Sequence, residues 1–277
     1  MRLIRGTAPV LPGQPEALSF IALTTQTPIA ELGASASSAL LVSAEMFTEI
    51  EFEGFLIAVA DPRREFARII AEYFAPDYPV GVAPTAVISP TAKIGTGCYI
   101  GPGAVIGDAV VIGDHCTIGA NAVIDFATIG EHTTIGPNTT IGHFGFGYVR
   151  EDDGIPLHIP HSGGVKIGSY VDIGANTCID RGTLSDTVIR DHAKVDNLVH
   201  IAHNCDIGEG AYVIATSILC GSVRIGTRAS IAPNASILEG VQIGADAVVG
   251  LGAVVLADVP DGVTVVGNPA KPITSRD

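Results

Sequence analysis

Basic residues are scarce in this chain: 15 Lys and Arg stand against 29 Asp and Glu, a formal net charge of −14. Between residues 94 and 165 the only Lys or Arg is Arg150. Phosphate backbones are held by clustered Lys and Arg, so the balance argues against nucleic acid as a partner and disfavours an anionic membrane surface. Long apolar runs are missing too. Of the 277 residues 47% are hydrophobic and 16% charged, yet no stretch approaches the roughly 20 consecutive apolar residues of a membrane span. The first 25 residues are broken by Pro9, Pro12 and Pro15 and hold no apolar core of signal-peptide length. A cytoplasmic protein is expected. The five cysteines (Cys98, Cys116, Cys178, Cys205 and Cys220) form no CxxC pair. Each lies near an apolar repeat position, where Cys behaves as a small hydrophobe, so neither disulfide nor metal is expected. GxSxG and Walker-type loops are absent, and the eight His show no metal-binding spacing of the HxxxH kind.

What is present is a period of six. An aliphatic residue recurs from Val82 through Ile88, Ile94, Ile100, Ile106, Ile112, Ile118 and Ile124, then after a step of five at Ile129, Ile135 and Ile141. It resumes at Ile167, Ile173 and Ile179, skips to Ile189, and then runs unbroken from Val195 to Val255. This period fits neither an amphipathic helix nor an alternating strand. It fits a triangular prism in which each hexad is one short strand and one corner. Three hexads make a coil, and coils stack about 4.8 Å apart, the ordinary inter-strand spacing. The 26 positions predict between eight and nine coils. The fold class expected is mainly β, a parallel β-helix over 81–258 followed by a tail at 259–277. Residues 1–80 lack the repeat and predict a small α/β domain that binds substrate or nucleotide, with strand character at 55–60. Helical spacing of Phe66, Ile69, Ile70, Tyr73 and Phe74 follows Pro62.

The interruption at 142–166 must leave the prism as an extended loop, and loops of that length often carry function. It holds Phe144, Phe146, Tyr148, His143, His158 and His161. Because the prism interior is aliphatic, any chemistry belongs on its outside. His203 lies two residues past the inward Ile201, near a corner, and 18 residues later comes Gly221. Stacking therefore places a Gly amide beside an imidazole, an oxyanion donor beside a general base, the two parts acyl transfer requires. The alternative reading of His203 is a surface histidine bonded to a neighbouring coil.

Several segments resemble the family of N-acyltransferases of lipid A (lipopolysaccharide) biosynthesis that acylate UDP-3-O-acylglucosamine: 18–20 (LSF), 56–68 (LIAVADPRREFAR), 145–148 (GFGY), 173–182 (IGANTCIDRG) and 196–204 (DNLVHIAHN). The resemblance covers most of the chain. It implies a left-handed helix, a homotrimer with sites between prisms, His203 as base and Gly221 as oxyanion donor. Asp196 is expected to orient His203. Phe20, Phe144, Phe146, Tyr148, His158, His161, Asn197, His200 and Asn204 are expected to meet a nucleotide-linked amino sugar. No cofactor is expected to be permanently bound; acyl-CoA or acyl carrier protein is the donor. Three departures stand out. After Phe20 the chain reads IALTTQ at 21–26, without the family's Asn and uracil-holding Tyr, and Gly240 replaces a second family histidine. The family's C-terminal helices are replaced by 267–271 (GNPAK), an ending similar to coenzyme A-dependent acetyltransferases, with Arg224, Arg228 and Lys271 as expected donor contacts. A second reading is therefore an acyl-CoA-dependent enzyme for another UDP- or dTDP-amino sugar. A non-catalytic β-helix binding protein and a β-helix carbonic anhydrase are the remaining readings.

Overall fold

A computed structural model describes residues 4–21, 29–32, 34–74 and 79–273. The chain forms two compact units, Met1–Asp77 and Tyr78–Asp277. The first carries a four-stranded parallel sheet in sequential order, with strands at Gly6–Thr7, Ala17–Phe20, Ala39–Val42 and Phe55–Ala58. A helix follows at Pro62–Ile69, capped by Asp61, whose side chain accepts from the Arg64 N–H, and runs into a wider turn at Ile70–Phe74. Leu18, Ala39 and Leu41 on the sheet are buried against Phe66 and Ile69 of the helix.

The second unit is a parallel β-solenoid with three walls of eleven, nine and eight strands. The first wall includes Tyr99–Ile100 and Lys194–Val195, the second His200–Ile201 and Ile218–Leu219, the third Asp206–Ile207 and Arg224–Ile225. Successive coils stack in register: Ile201 faces both Ile179 and Leu219. The last strand of the first wall, Lys271–Pro272, pairs antiparallel with Thr264–Val266 and closes that end. Among the described residues no helix is long and apolar enough to cross a membrane.

Every repeat aliphatic from Ile100 to Val255 is buried, whereas Val82 in the first coil is exposed. Full burial of each such side chain contributes about 1.5–3 kcal/mol, so the stack of isoleucines dominates the stability of the prism. Two residues before each inward aliphatic sits a small side chain that fills the corner. Ala104, Val110, Ala122 and Ala211 do so, as do Cys98, Cys116 and Cys205. Thr133 and Thr139 fill the same position and donate to the carbonyls of Gly168 and Gly174 in the next coil, at 2.9 and 2.6 Å. Three cysteines are therefore corner fillers. Burial pushes the Cys116 thiol up to about 11 and the Cys205 thiol up to about 12, which leaves them without thiolate character. Cys178 precedes its aliphatic instead and is exposed.

All three irregular steps, the short one from Ile124 to Ile129 and the longer breaks after Ile141 and Ile179, fall on the edge between the second and third walls. Strand Thr140–Phe144 runs past the normal corner and pairs His143 with Asp180 and Phe144 with Arg181 of the longer strand Cys178–Arg181. A bulge at Gly142 permits this. Gly142 has φ +89°, and a Cβ there would collide with the Asp125 carbonyl. Beyond it the insertion forms an antiparallel hairpin of Tyr148–Arg150 with Pro156–His158. It returns through Ser162 and Gly163, whose N–H groups donate to Thr183 and Gly182 at 2.7 and 3.0 Å. Buried Arg181 ties the base of the insertion. Its Nε donates to the Gly163 carbonyl at 2.6 Å, and its guanidinium lies 3.5 Å from the Phe126 ring centroid.

Candidate active site

The same edge carries His203 and Gly221, one coil apart. Imidazole Nδ1 of His203 lies 2.9 Å from Asn204 Oδ1. That amide oxygen also accepts from the Thr183 hydroxyl at 2.9 Å and the Thr183 N–H at 3.3 Å, while Asn204 Nδ2 reaches the Ser185 hydroxyl at 3.2 Å. The Thr183 N–H can only donate, which fixes the amide orientation and makes Oδ1 an acceptor. Nδ1 of His203 therefore carries the proton, and Nε2 holds a free lone pair, the tautomer a general base needs. Asn204 can face the ring because its backbone turns the corner with φ +63°, a conformation Asn tolerates.

Gly221 lies against this ring: a Cβ built on it would stand 2.6 Å from His203 Cε1 and 2.9 Å from Nε2. The stacking predicted by the 18-residue step is present, and only hydrogen fits the space. Among the described residues the Gly221 N–H has no hydrogen-bond partner, whereas the next amide, Ser222 N–H, donates to the His203 carbonyl at 2.9 Å. From the opposite side the insertion closes in. A Cβ at Gly145 would meet His203 Cδ2 at 2.9 Å and Asp180 Oδ2 at 3.1 Å.

Asp180 and His161 are brought to the site by the two longer breaks. Asp180 is buried, its Oδ2 3.8 Å from His200 Nε2. Burial raises its carboxyl above the usual range, against the pull of His200, His203, His143 and His161. His161 is buried with its ring centroid 5.3 Å from that of His203, nearly edge to face. Phe144 packs edge-on against His158 and His161, and Tyr148 lies 5.2 Å from His158. Outside this cluster Phe146, Tyr148, Val149, Arg150 and Pro156 line an open, largely apolar pocket of about 400 Å³, with Phe146 85% exposed.

Other expected site residues fall elsewhere. Asp196 does not reach His203. It sits on the edge between the first and second walls, where its carboxylate accepts from Asn197 N–H at 2.7 Å and Ala215 N–H at 3.2 Å. The group on His203 is Asn204 instead, whose Oδ1 faces the imidazole Nδ1. Asn197 caps that other edge too, accepting from Ala175 N–H at 2.6 Å. Arg228, at the edge between the third and first walls, is held by Asp246 through two bonds of 2.8 and 2.6 Å. Arg224 lies on the third wall in a groove with Arg190, Asp206, Gln242, Asp258 and Asp261. Lys271 is exposed on the closing strand. Gly240, one coil beyond Ser222, faces open space. Phe20 belongs to the first unit, where its ring packs on Phe66 at 4.6 Å; residues 22–26, Arg276 and Asp277 lie outside the described residues. Asp180 and Arg181 were missed in the sequence, although charged residues beside an irregular step in an apolar repeat are a usable signal.

Family comparisons match the repeat. The model described as bacterial transferase hexapeptide (six repeats) matches residues 91–125 and 109–143, and the hexapeptide repeat of succinyl-transferase matches 222–257. Both matches fall on the regular coils of the solenoid, on either side of the two long breaks. A UDP-3-O-acylglucosamine N-acyltransferase of Caulobacter sp. (strain K31) is 38% identical over 132 residues, 48% of this chain and 38% of that protein. UDP-3-O-acylglucosamine N-acyltransferase 2 of Legionella pneumophila (strain Lens) is 49% identical over 85 residues, 31% of this chain and 24% of that protein. This chain thus spans between about a quarter and two fifths of the length of these relatives. Among solved structures, a UDP-N-acetylglucosamine acyltransferase from Bacteroides fragilis superposes with a TM-score of 0.64 at 28% identity, covering 70% of this chain and 74% of that one.

The hydrogen bond from His203 to Asn204 gives a direct test of the orienting role. Asn204→Gly keeps a residue at ease with positive φ and removes the amide, with its bonds to His203, Thr183 and Ser185. Loss of the bond to His203 is expected to lower turnover by about tenfold, and loss of the bonds to Thr183 and Ser185 to lower the melting temperature modestly. Unchanged turnover would show that the imidazole needs no orienting partner.

Proposed function

We propose that the protein is an N-acyltransferase that moves an acyl group from a pantetheine thioester to the amino group of a nucleotide-linked amino sugar, working as a cytoplasmic homotrimer. One observation carries the reading: an imidazole with Nδ1 capped by Asn204 and Nε2 free, against the unpartnered Gly221 amide. The relatives' names supply the substrate class, a UDP-linked glucosamine. In the reaction the amine nitrogen attacks the thioester carbon and forms the C–N bond. The Gly221 N–H donates to the oxyanion, His203 Nε2 takes one amine proton, and the C–S bond breaks as that proton passes to the thiolate. The apolar pocket at Phe146 and Tyr148 suits the acyl chain or the base of the nucleotide. A panel of UDP- and dTDP-amino sugars against acetyl-CoA, longer acyl-CoAs and acyl carrier protein thioesters tests the reading by mass detection of the amide. Absence of amide across the whole panel would sink it.

The donor is expected to be acyl-CoA rather than acyl carrier protein. Carrier proteins are acidic, and a chain of net charge −14 repels them at long range. With Arg228 held by Asp246, Arg224 and Lys271 are the cations left among the expected donor contacts. Lys271→Ala is expected to raise KM for acyl-CoA by about threefold to tenfold, the effect of one exposed phosphate contact. An unchanged KM removes Lys271 from the donor site, and a higher kcat/KM with carrier protein reverses the donor assignment.

A further inference from the structure

One buried side-chain polar atom among the described residues has no hydrogen-bond partner, and it lies in this site: Nε2 of His161. The residue is 4% exposed. Its Nδ1 stands 3.0 Å from the Ile159 carbonyl oxygen, which can only accept, so Nδ1 carries the proton and Nε2 presents a lone pair. Burial holds this imidazole below the ordinary His range, which keeps it neutral. His203 has the same arrangement, with Nδ1 spent on Asn204 and Nε2 free, and the two rings meet at 5.3 Å and 69°. Two imidazoles thus stand together, each with its Nδ1 spent on an internal acceptor and its Nε2 unused. A buried acceptor without a partner is costly to keep, and a Phe ring would fill the same space without that cost. The cover over both rings is main chain: a Cβ at Gly147 would meet His161 Cε1 at 2.6 Å and Nε2 at 3.5 Å, as one at Gly145 would meet His203.

We propose that His161 Nε2 accepts a hydrogen bond from the N–H of the attacking amine that His203 does not remove, and so makes the site select amines over hydroxyls. This rests on the acyl-transfer reading above. A neutral primary amine brings two N–H bonds and one lone pair. With one N–H on His203 and the other on His161, the lone pair is left to point at the thioester carbon. A hydroxyl brings a single O–H, so it satisfies His203 and leaves His161 unpaired, a penalty the amine escapes. Entry of the acceptor between the rings requires the turn at residues 145–147 to lift by about the width of an amino group. Proton balance is unchanged: the proton on His203 leaves with the thiol, and the N–H held by His161 stays in the amide product.

The test compares UDP-glucosamine with UDP-glucose, which differ at the sugar 2-position, as acceptors from one acyl-CoA. In His161→Phe the ratio of kcat/KM for amine over hydroxyl is expected to fall by about tenfold, one neutral hydrogen bond. His161→Gln, which restores an acceptor oxygen, should recover most of it, and the melting temperature of His161→Phe should equal or exceed that of the parent. An equal loss for both acceptors, a lowered melting temperature, or no recovery with Gln would assign His161 a merely structural role and overturn the proposal. A second measurement separates this from the reading of overall function. Nitrogen NMR of the histidine-labelled protein, with UDP-glucosamine and no donor, should shift the His161 Nε2 resonance toward that of a hydrogen-bonded acceptor. If that shift occurs and no amide forms with any donor, acyl transfer fails and the acceptor contact stands. If amide forms and the resonance does not move, the contact fails alone.

Discussion

His203→Ala is expected to lower kcat by roughly 10²–10⁴, the usual contribution of a positioned general base, while leaving the prism folded. The imidazole stands outside the aliphatic stack, so its removal creates no cavity in the core. Asn204 Oδ1 keeps its bonds to Thr183 when the imidazole is removed. The loss should therefore appear in turnover and not in the melting temperature. The Asn204 bond sharpens the expectation: His203 holds its proton on Nδ1 and offers Nε2, so His203→Gln, which can occupy the space but cannot take the proton, should be as impaired as Ala. Near-normal turnover in either variant would move the base to another residue. His200 is then the first candidate, since its Nε2 already lies 3.8 Å from the Asp180 carboxylate.

Gly221→Ala is the second large effect, expected to lower kcat by about 10²-fold, the range seen when an oxyanion donor is lost. The backbone of Gly221 lies outside the left-handed region, so Ala costs nothing in conformation. The added methyl would stand 2.6 Å from His203 Cε1, and the ring must give way. It gives way by breaking its bond to Asn204, so base position and access to the amide are lost together. Gly240→Ala is a control at the corner one coil beyond Ser222: nothing lies within 4 Å of a Cβ there, although its φ of +74° makes Ala less comfortable. That control should keep its turnover and lose a little stability. Equal losses of turnover in both variants would mean that strain in the corners, and not contact with the imidazole, governs the result.

Much of this architecture is legible in the sequence because a solenoid turns spacing into position. Period six sets three walls, the inward aliphatics are the residues the repeat names, and 18 residues carry His203 to Gly221. The same rule explains what misled. Asp196 is seven residues from His203 in sequence, but the hexad after Val195 turns a corner, so Asp196 and Asn197 stand on a different edge. The partner of His203 is its neighbour Asn204, fixed by Thr183 and Ser185 from the irregular step between Ile179 and Ile189. Period arguments do not reach that segment, because its length is not a multiple of six. Asp180, Arg181 and the fold of the insertion over His203 were hidden for the same reason. The breaks in the repeat carry the candidate site, and they are where a rule built on regularity stops.

The measurement that tests the central claim most directly is a crystal structure of the protein with its amide product and the free thiol donor. The amide nitrogen is predicted to lie within about 3 Å of His203 Nε2 and the new carbonyl oxygen within about 3 Å of the Gly221 nitrogen, ordinary hydrogen-bond distances. An amide bound away from this edge, such as in the groove of the third wall beside Arg224, with His203 and Gly221 facing only solvent, would contradict it.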